Sequence, residues 1–142
     1  MSGRARPGIR PARTVERADL EALRRRAGRA EGGPCDAAVS MLAIERGEIL
    51  VSEEEGAIVG FARVAARDGY TELTALLVDP DLRGCGLGAA LVEAAVHRAR
   101  RQGLALVALA RDPEARRFLQ RCGLQEEGSA GTADEPTVRL SR

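Results

Sequence analysis

Three glycines alternate where an apolar run ends and a helical pattern begins, in Val78-Asp-Pro-Asp-Leu-Arg83-Gly84-Cys85-Gly86-Leu87-Gly88-Ala89. Glycine at every second position suits a backbone that turns with positive φ or approaches a neighbour too closely for a Cβ. A strand that passes through such a turn directly into a helix gathers several amides at one helix N-terminus, where the partial charge is positive. That is a ready site for a pyrophosphate, and Arg83 adds a planar, permanently charged partner. The segment therefore predicts a strand–turn–helix unit built around a phosphate-bearing ligand.

Two nucleotide-binding patterns compete for this turn. Gly84-x-Gly86-x-x-Ala89 formally matches the dinucleotide fingerprint, and Asp112 follows about where a ribose-binding acid would lie. The stretch after Asp112 is too short for the further βαβ units of a Rossmann sheet, and an antiparallel block precedes the turn. The Walker pattern fails because the chain has no Lys. Composition narrows the remainder. A length of 142 residues, 44% of them hydrophobic, supports one domain with one core. A net charge of +1 argues against a general polyanion binder, and one Tyr, two Phe and no Trp leave little to stack on bases. No nucleic-acid partner is expected. Cys35, Cys85 and Cys122 suggest neither a disulfide framework nor a metal site. No apolar run is long enough to span a membrane, and the basic start lacks the apolar stretch of a secretory signal. A reduced, cytoplasmic setting is the expectation.

Along the chain, residues 1–8 read as a disordered tail and 9–142 as a single domain. Residues 9–12 read as an edge strand that tolerates Pro11, and Thr14 as the cap of a helix to about residue 26. A short helix over 37–45 follows. Apolar runs at 48–53 and 57–65, around Glu54-Glu55-Gly56, predict a hairpin whose charged tip is solvated. Further strands are expected at 70–78 and 104–110, the latter buried on both faces, with a helix over 86–102 between them. A helix from Asp112-Pro113 to about residue 121 and two closing strands complete the order β-α-α-β-β-β-α-β-α-β-β. This predicts an α/β fold: a mixed, mostly antiparallel sheet of six to seven strands with about four helices on its faces.

The glycine segment closely resembles motif A of the GNAT superfamily, the acetyl-CoA-dependent N-acetyltransferases, with Val78, Pro80, Arg83, Gly86 and Gly88 at the motif positions. Ile9-Arg10-Pro11-Ala12 with Asp19-Leu20 resembles the family's opening strand and helix. Ile49-Leu50-Val51 to Gly60-Phe61-Ala62 resembles its central hairpin, and Ala115 to Leu124 its C-terminal motif, so the likeness covers about residues 9–128. It implies acetyl-CoA as the acyl donor and a small-molecule or peptide amine as acceptor, with direct attack in a ternary complex and no metal. Backbone groups of Leu76, Leu77 and Val78 would hold the pantetheine arm. The turn Arg83, Gly84, Cys85, Gly86, Leu87, Gly88 and Ala89 would hold the pyrophosphate. Family members often form homodimers.

Glu72 matches the catalytic glutamate of the histone acetyltransferase branch. A base near the amine is needed because only the neutral amine attacks, and burial among apolar neighbours would raise a carboxyl pKa towards the useful range. A solvated Glu at the start of a strand is the other reading. The chain departs from the family at Leu119, where many members carry a Tyr that protonates the leaving thiolate. Leu119 shares a helix face with Ala115, Phe118 and Cys122, which is the spacing of a core face. Tyr70 lies two residues before Glu72. Asp112 stands where many relatives have a coenzyme-contacting Asn, and it is also a good N-cap before Pro113. His97 reads as solvated, and Cys85 as an outward side chain in the turn. The Leu119 departure keeps a second function open, a non-catalytic acyl-CoA-binding sensor. The acceptor would be selected by residues 24–43 and 128–136. Arg24, Arg25, Arg26 and Arg29 there suit either an acidic acceptor or an exposed helix face.

Overall fold

The expected element order is present in the computed structural model, which describes residues 8–27, 39–131 and 136–142. The strands are β1 (Gly8–Pro11), β2 (Ile49–Glu54), β3 (Ala57–Ala66), β4 (Thr71–Val78), β5 (Leu106–Ala110), β6 (Gln125–Gly131) and β7 (Pro136–Ser141). The helices are α1 (Arg17–Ala27), α2 (Met41–Glu45), α3 (Leu87–Arg101) and α4 (Pro113–Arg121). The strands form one sheet in the order β1-β2-β3-β4-β5-β7-β6. Only β4 and β5 pair in parallel, so the sheet is mostly antiparallel.

Local chemistry accounts for most boundaries. Glu55 (φ 52°) and Gly56 (φ 81°) both lie in the left-handed region, as a two-residue hairpin turn between right-twisted strands requires. Ser40 caps α2 by accepting from the Ala43 amide at 3.0 Å. Asp112 caps α4 by accepting from the Ala115 amide at 2.7 Å, with Pro113 at the first helical position. Three boundaries differ from expectation. Gly8 opens β1 instead of ending a tail; the rest of the tail, residues 1–7, lies outside the described residues. Thr14 does not cap α1: it starts a single 3-10 turn, Thr14–Glu16, that leads into the helix. The short helix expected over 37–45 is described from Met41, and residues 28–38 lie outside the described part.

The sheet separates two apolar layers. On one face α1 and α2 bury Leu20, Leu23, Ala43 and Ile44 against Phe61, Ala75 and Leu77. On the other, α3 and α4 bury Leu91, Val92, Val96 and Leu119 against Ala62, Val64, Leu73 and Leu106. Simple alternation would put Leu73, Ala75 and Leu77 on one face. A bulge at the Arg63/Val64 step leaves Thr74 without an opposite residue on β3, and this resets the phase of β4. Leu73 thus faces α3, while Ala75 and Leu77 face α1.

The edge strand β1 is fastened by charge. Buried Glu16 (7% exposed) accepts from Arg10 at 2.8 and 2.6 Å and from the Arg13 amide at 2.8 Å. Arg10 also reaches Glu53 at 2.7 Å, so one end of the hairpin is paired, not merely solvated. The Arg10 guanidinium holds the Glu16 carboxyl at about 2, below its usual 4.5. Because the folded value is depressed, this contribution to stability is whole above about pH 4.5 and lost as pH falls towards 2. Glu16→Gln should lower unfolding free energy by about 1–3 kcal/mol at pH 7. In denaturant melts, its gap from the wild type should close between pH 4.5 and pH 2.

Candidate active site

The ladder between β4 and β5 runs for three rungs, Thr71 with Leu106, Glu72 with Val107 and Leu73 with Ala108, and then stops. Beyond it, Leu109 and Ala110 are paired with β7 alone, and β4 from Ala75 to Val78 with β3 alone. The two strands part at the Thr74 bulge, and the gap opens into a cleft of about 490 Å³.

The wall of this cleft draws on both faces of the sheet. The α3/α4 face supplies Arg83, Gly84, the start of α3 from Gly86 to Ala89, and Phe118. From the α1 side come Arg63 and Glu72, whose β-carbons share a face by register: Ala65 lies opposite Glu72, and Ala75 opposite Arg63. The cleft thus passes through the sheet, with the glycine turn at one end and Glu72 at the other.

At the turn, Gly84 (φ 81°) and Gly86 (φ 82°) are both left-handed, and a Cβ on either would meet nothing within 4 Å. Their conformation, not crowding, calls for glycine. Gly86 is the N-cap of α3 and offers no side-chain cap, so the amides of the first turn are left for a ligand. Gly88 is there for another reason. A Cβ would come within 3.2 Å of Phe118 Cζ, so this glycine lets α3 close onto α4. Arg111 and Arg121 add further positive charge to the wall. A pyrophosphate fits this end: open space over two left-handed glycines, an uncapped helix start and adjacent guanidinium groups.

Of the residues expected here, Leu76, Leu77, Val78, Arg83, Gly84, Gly86, Leu87, Gly88, Ala89 and Glu72 all line the cleft. Cys85 does not: its side chain is exposed outside the wall. Glu72 differs from the expected apolar burial. It is 20% exposed and accepts from Arg67 Nε at 2.9 Å. That ion pair pushes the Arg67 guanidinium up. Leu119 is 6% exposed and belongs to the core beneath α3 and α4. Thr74 carries the only hydroxyl among the described lining residues, and it donates to the Arg63 carbonyl at 3.2 Å. Tyr70 lies under the Arg139 guanidinium, 4.9 Å from ring centre to Cζ. His97 is an exposed residue of α3, 3.6 Å from Glu93. Two arginines of the basic stretch of α1 are paired, Arg24 with Glu21 at 3.0 Å and Arg26 with Asp79 at 2.8 Å, and Arg25 is exposed. Arg29 lies outside the described residues.

A family model, the acetyltransferase (GNAT) family, matches residues 17–124. The chain belongs to the GNAT acetyltransferase family. Solved GNAT structures share its fold at low sequence identity. An acetyltransferase of the GNAT family from Streptococcus pneumoniae superposes with a TM-score of 0.75 at 19% identity, covering 95% of this chain and 97% of that one. The PaiA N-acetyltransferase from Thermoplasma acidophilum, solved with coenzyme A, gives 0.77 at 13%, covering 97% and 100%. The ribosomal-protein-S18-alanine N-acetyltransferase from Escherichia coli gives 0.71 at 19%, covering 94% and 91%. Among curated proteins no sequence matches the chain.

Arg63, Thr74, Arg111 and Arg121 line the cleft without having been expected there. Arg63 sits in an apolar strand pattern that carries no motif, and only the register of β3 on β4 brings it to the wall. The Gly88–Phe118 contact predicts that Gly88→Val lowers stability by about 1–3 kcal/mol, although Val is the better helix former. Phe118→Ala in the same chain should recover part of that loss, which a double-mutant cycle of thermal melts would read.

Proposed function

We propose that the chain is an N-acetyltransferase that takes acetyl-CoA at the glycine-turn end of the cleft and an amine at the Glu72 end. The observation that carries this reading is the cleft itself: a through-sheet opening with a phosphate-fitted turn on one side and a carboxylate on the other. Acetyl-CoA supplies the activated acetyl thioester. The amides of Gly86 to Ala89 and the guanidinium of Arg83 would hold its pyrophosphate. The free edge of β4 from Ala75 to Val78 would pair with the amides of the pantetheine arm, as an added strand would. An amide on the same edge would polarise the thioester carbonyl.

Glu72 would act as the base, directly or through a water. It takes the proton that the amine loses as the C–N bond forms and the C–S bond breaks. To do so it must release Arg67 or share it. Leu119, in the core, has no proton to give the sulfur. A thiol pKa of about 8.5 makes the free thiolate a tolerable leaving group near neutral pH. The same feature supports the second reading, a non-catalytic acyl-CoA-binding module.

Calorimetric titration with acetyl-CoA separates these readings when three variants are compared. Asp and Asn tolerate a left-handed backbone, and there is space over Gly84. Gly84→Asp should therefore fold yet weaken acetyl-CoA binding at least tenfold by repelling the pyrophosphate, with Gly84→Asn weakening it less. Glu72→Gln should bind acetyl-CoA as the wild type does and lose at least about a hundredfold in kcat, the usual scale of a general base. Binding without turnover on any amine would favour the sensor. No binding to any acyl-CoA would sink both.

A further inference from the structure

Resting on the acetyltransferase reading, we propose that Arg63 recognises a carboxylate on the acceptor, so that the natural acceptor is an amino-acid-like amine. Arg63 lines the cleft on the sheet face it shares with Glu72. Its guanidinium is weakly satisfied. Among the described residues its one partner is Glu48, at a long 3.5 Å, and its Nε is buried with no hydrogen-bond partner. A guanidinium carries five donors in a planar fork, and a carboxylate meets two of them at once. The side chain is only 27% exposed, so water satisfies it poorly.

Neighbouring cations are committed elsewhere. Arg67 is bonded to Glu72, Arg24 to Glu21 and Arg26 to Asp79. An anion entering from the α1 side therefore meets Arg63 as its best partner.

The spacing suits a short bifunctional substrate. Arg63 stands opposite Ala75 and Glu72 opposite Ala65, on adjacent strands and two residues apart along β3. Strand rise and spacing put the two backbone positions about 8 Å apart. An arginine side chain is long enough to cover much of that distance. An amine held at Glu72 thus leaves a carboxylate one to three carbons away within reach of the guanidinium. A second positive charge on the acceptor would instead face Arg63 and Arg67 together, so this arrangement selects against polycationic amines.

The test is calorimetry on the protein saturated with coenzyme A. The probes are glycine, β-alanine and γ-aminobutyrate, each beside its carboxamide, with acetylation rates of the same pairs measured using acetyl-CoA. At least one acid should bind and react at least tenfold better than its amide. Arg63→Gln should abolish that ratio through KM more than kcat and leave acetyl-CoA affinity unchanged, and Arg63→Lys should keep part of it. Equal use of acids and amides, binding of neither, or a ratio that survives in Arg63→Gln would each overturn the proposal. Loss of acetyl-CoA binding in the wild type would instead overturn the acetyltransferase reading, and this inference with it.

Discussion

Parallel pairing of β4 with β5 for three rungs, followed by separation, is the constraint around which the rest of the molecule is arranged. A strand edge within a sheet normally finds a partner, because unpaired backbone groups are costly when buried. Here β4 keeps β3 on one side and gives up β5 on the other from Thr74 onward. The bulge at Thr74 makes this workable. It reverses which residues of β4 face which layer, so Ala75 and Leu77 fill the α1 layer while Leu76 and Val78 pack with the α3 layer. Both cores stay filled while the ladder between them opens.

The opening is held apart by packing on the α3/α4 side. Phe118 sits against Gly88 at the base of the phosphate turn, and Leu119 anchors α4 in the core. The charges then follow the geometry. Guanidinium groups and an uncapped helix start collect at one end, and Glu72 with Arg67 and Arg63 at the other. Each end is polar, while Leu73, Ala108 and Leu119 make the passage between them apolar. Charged groups of the two ends are therefore kept from pairing with each other across the sheet.

Much of the fold was legible because its signals are local. Two apolar runs marked β2 and β3, Glu54-Glu55-Gly56 between them marked their turn, Asp112-Pro113 marked the start of α4, and the alternating glycines marked the start of α3. The glycine-turn end of the cleft was legible for the same reason, being one contiguous segment. What escaped depends on pairing between distant segments. The placement of β7 between β5 and β6 leaves no trace in either strand. The Arg67 bond to Glu72 and the arrival of Arg63 at the wall depend on the register of β3 on β4 and on one bulge. A one-residue slip of that register would leave Arg63 and Glu72 on opposite faces. Cys85, read as an outward side chain of the turn, is exposed.

The position of β7 bears on how the chain reaches this fold. β5 and β6 are neighbours of β7 and not of each other, so both wait for residues 136–142. Arg142 exchanges two backbone hydrogen bonds with Leu106, at 2.8 and 2.9 Å, and its guanidinium bridges Glu93 of α3 and the Cys122 carbonyl past the end of α4. During synthesis the β1–β4 block can pair as each strand emerges, because its contacts are between successive segments. The second half of the sheet cannot. Until its middle strand arrives, β5 exposes an apolar edge of the kind that recruits other chains. The aggregation-exposed interval therefore opens when β5 leaves the ribosome and closes when residues 136–142 join it, after the glycine turn is already out.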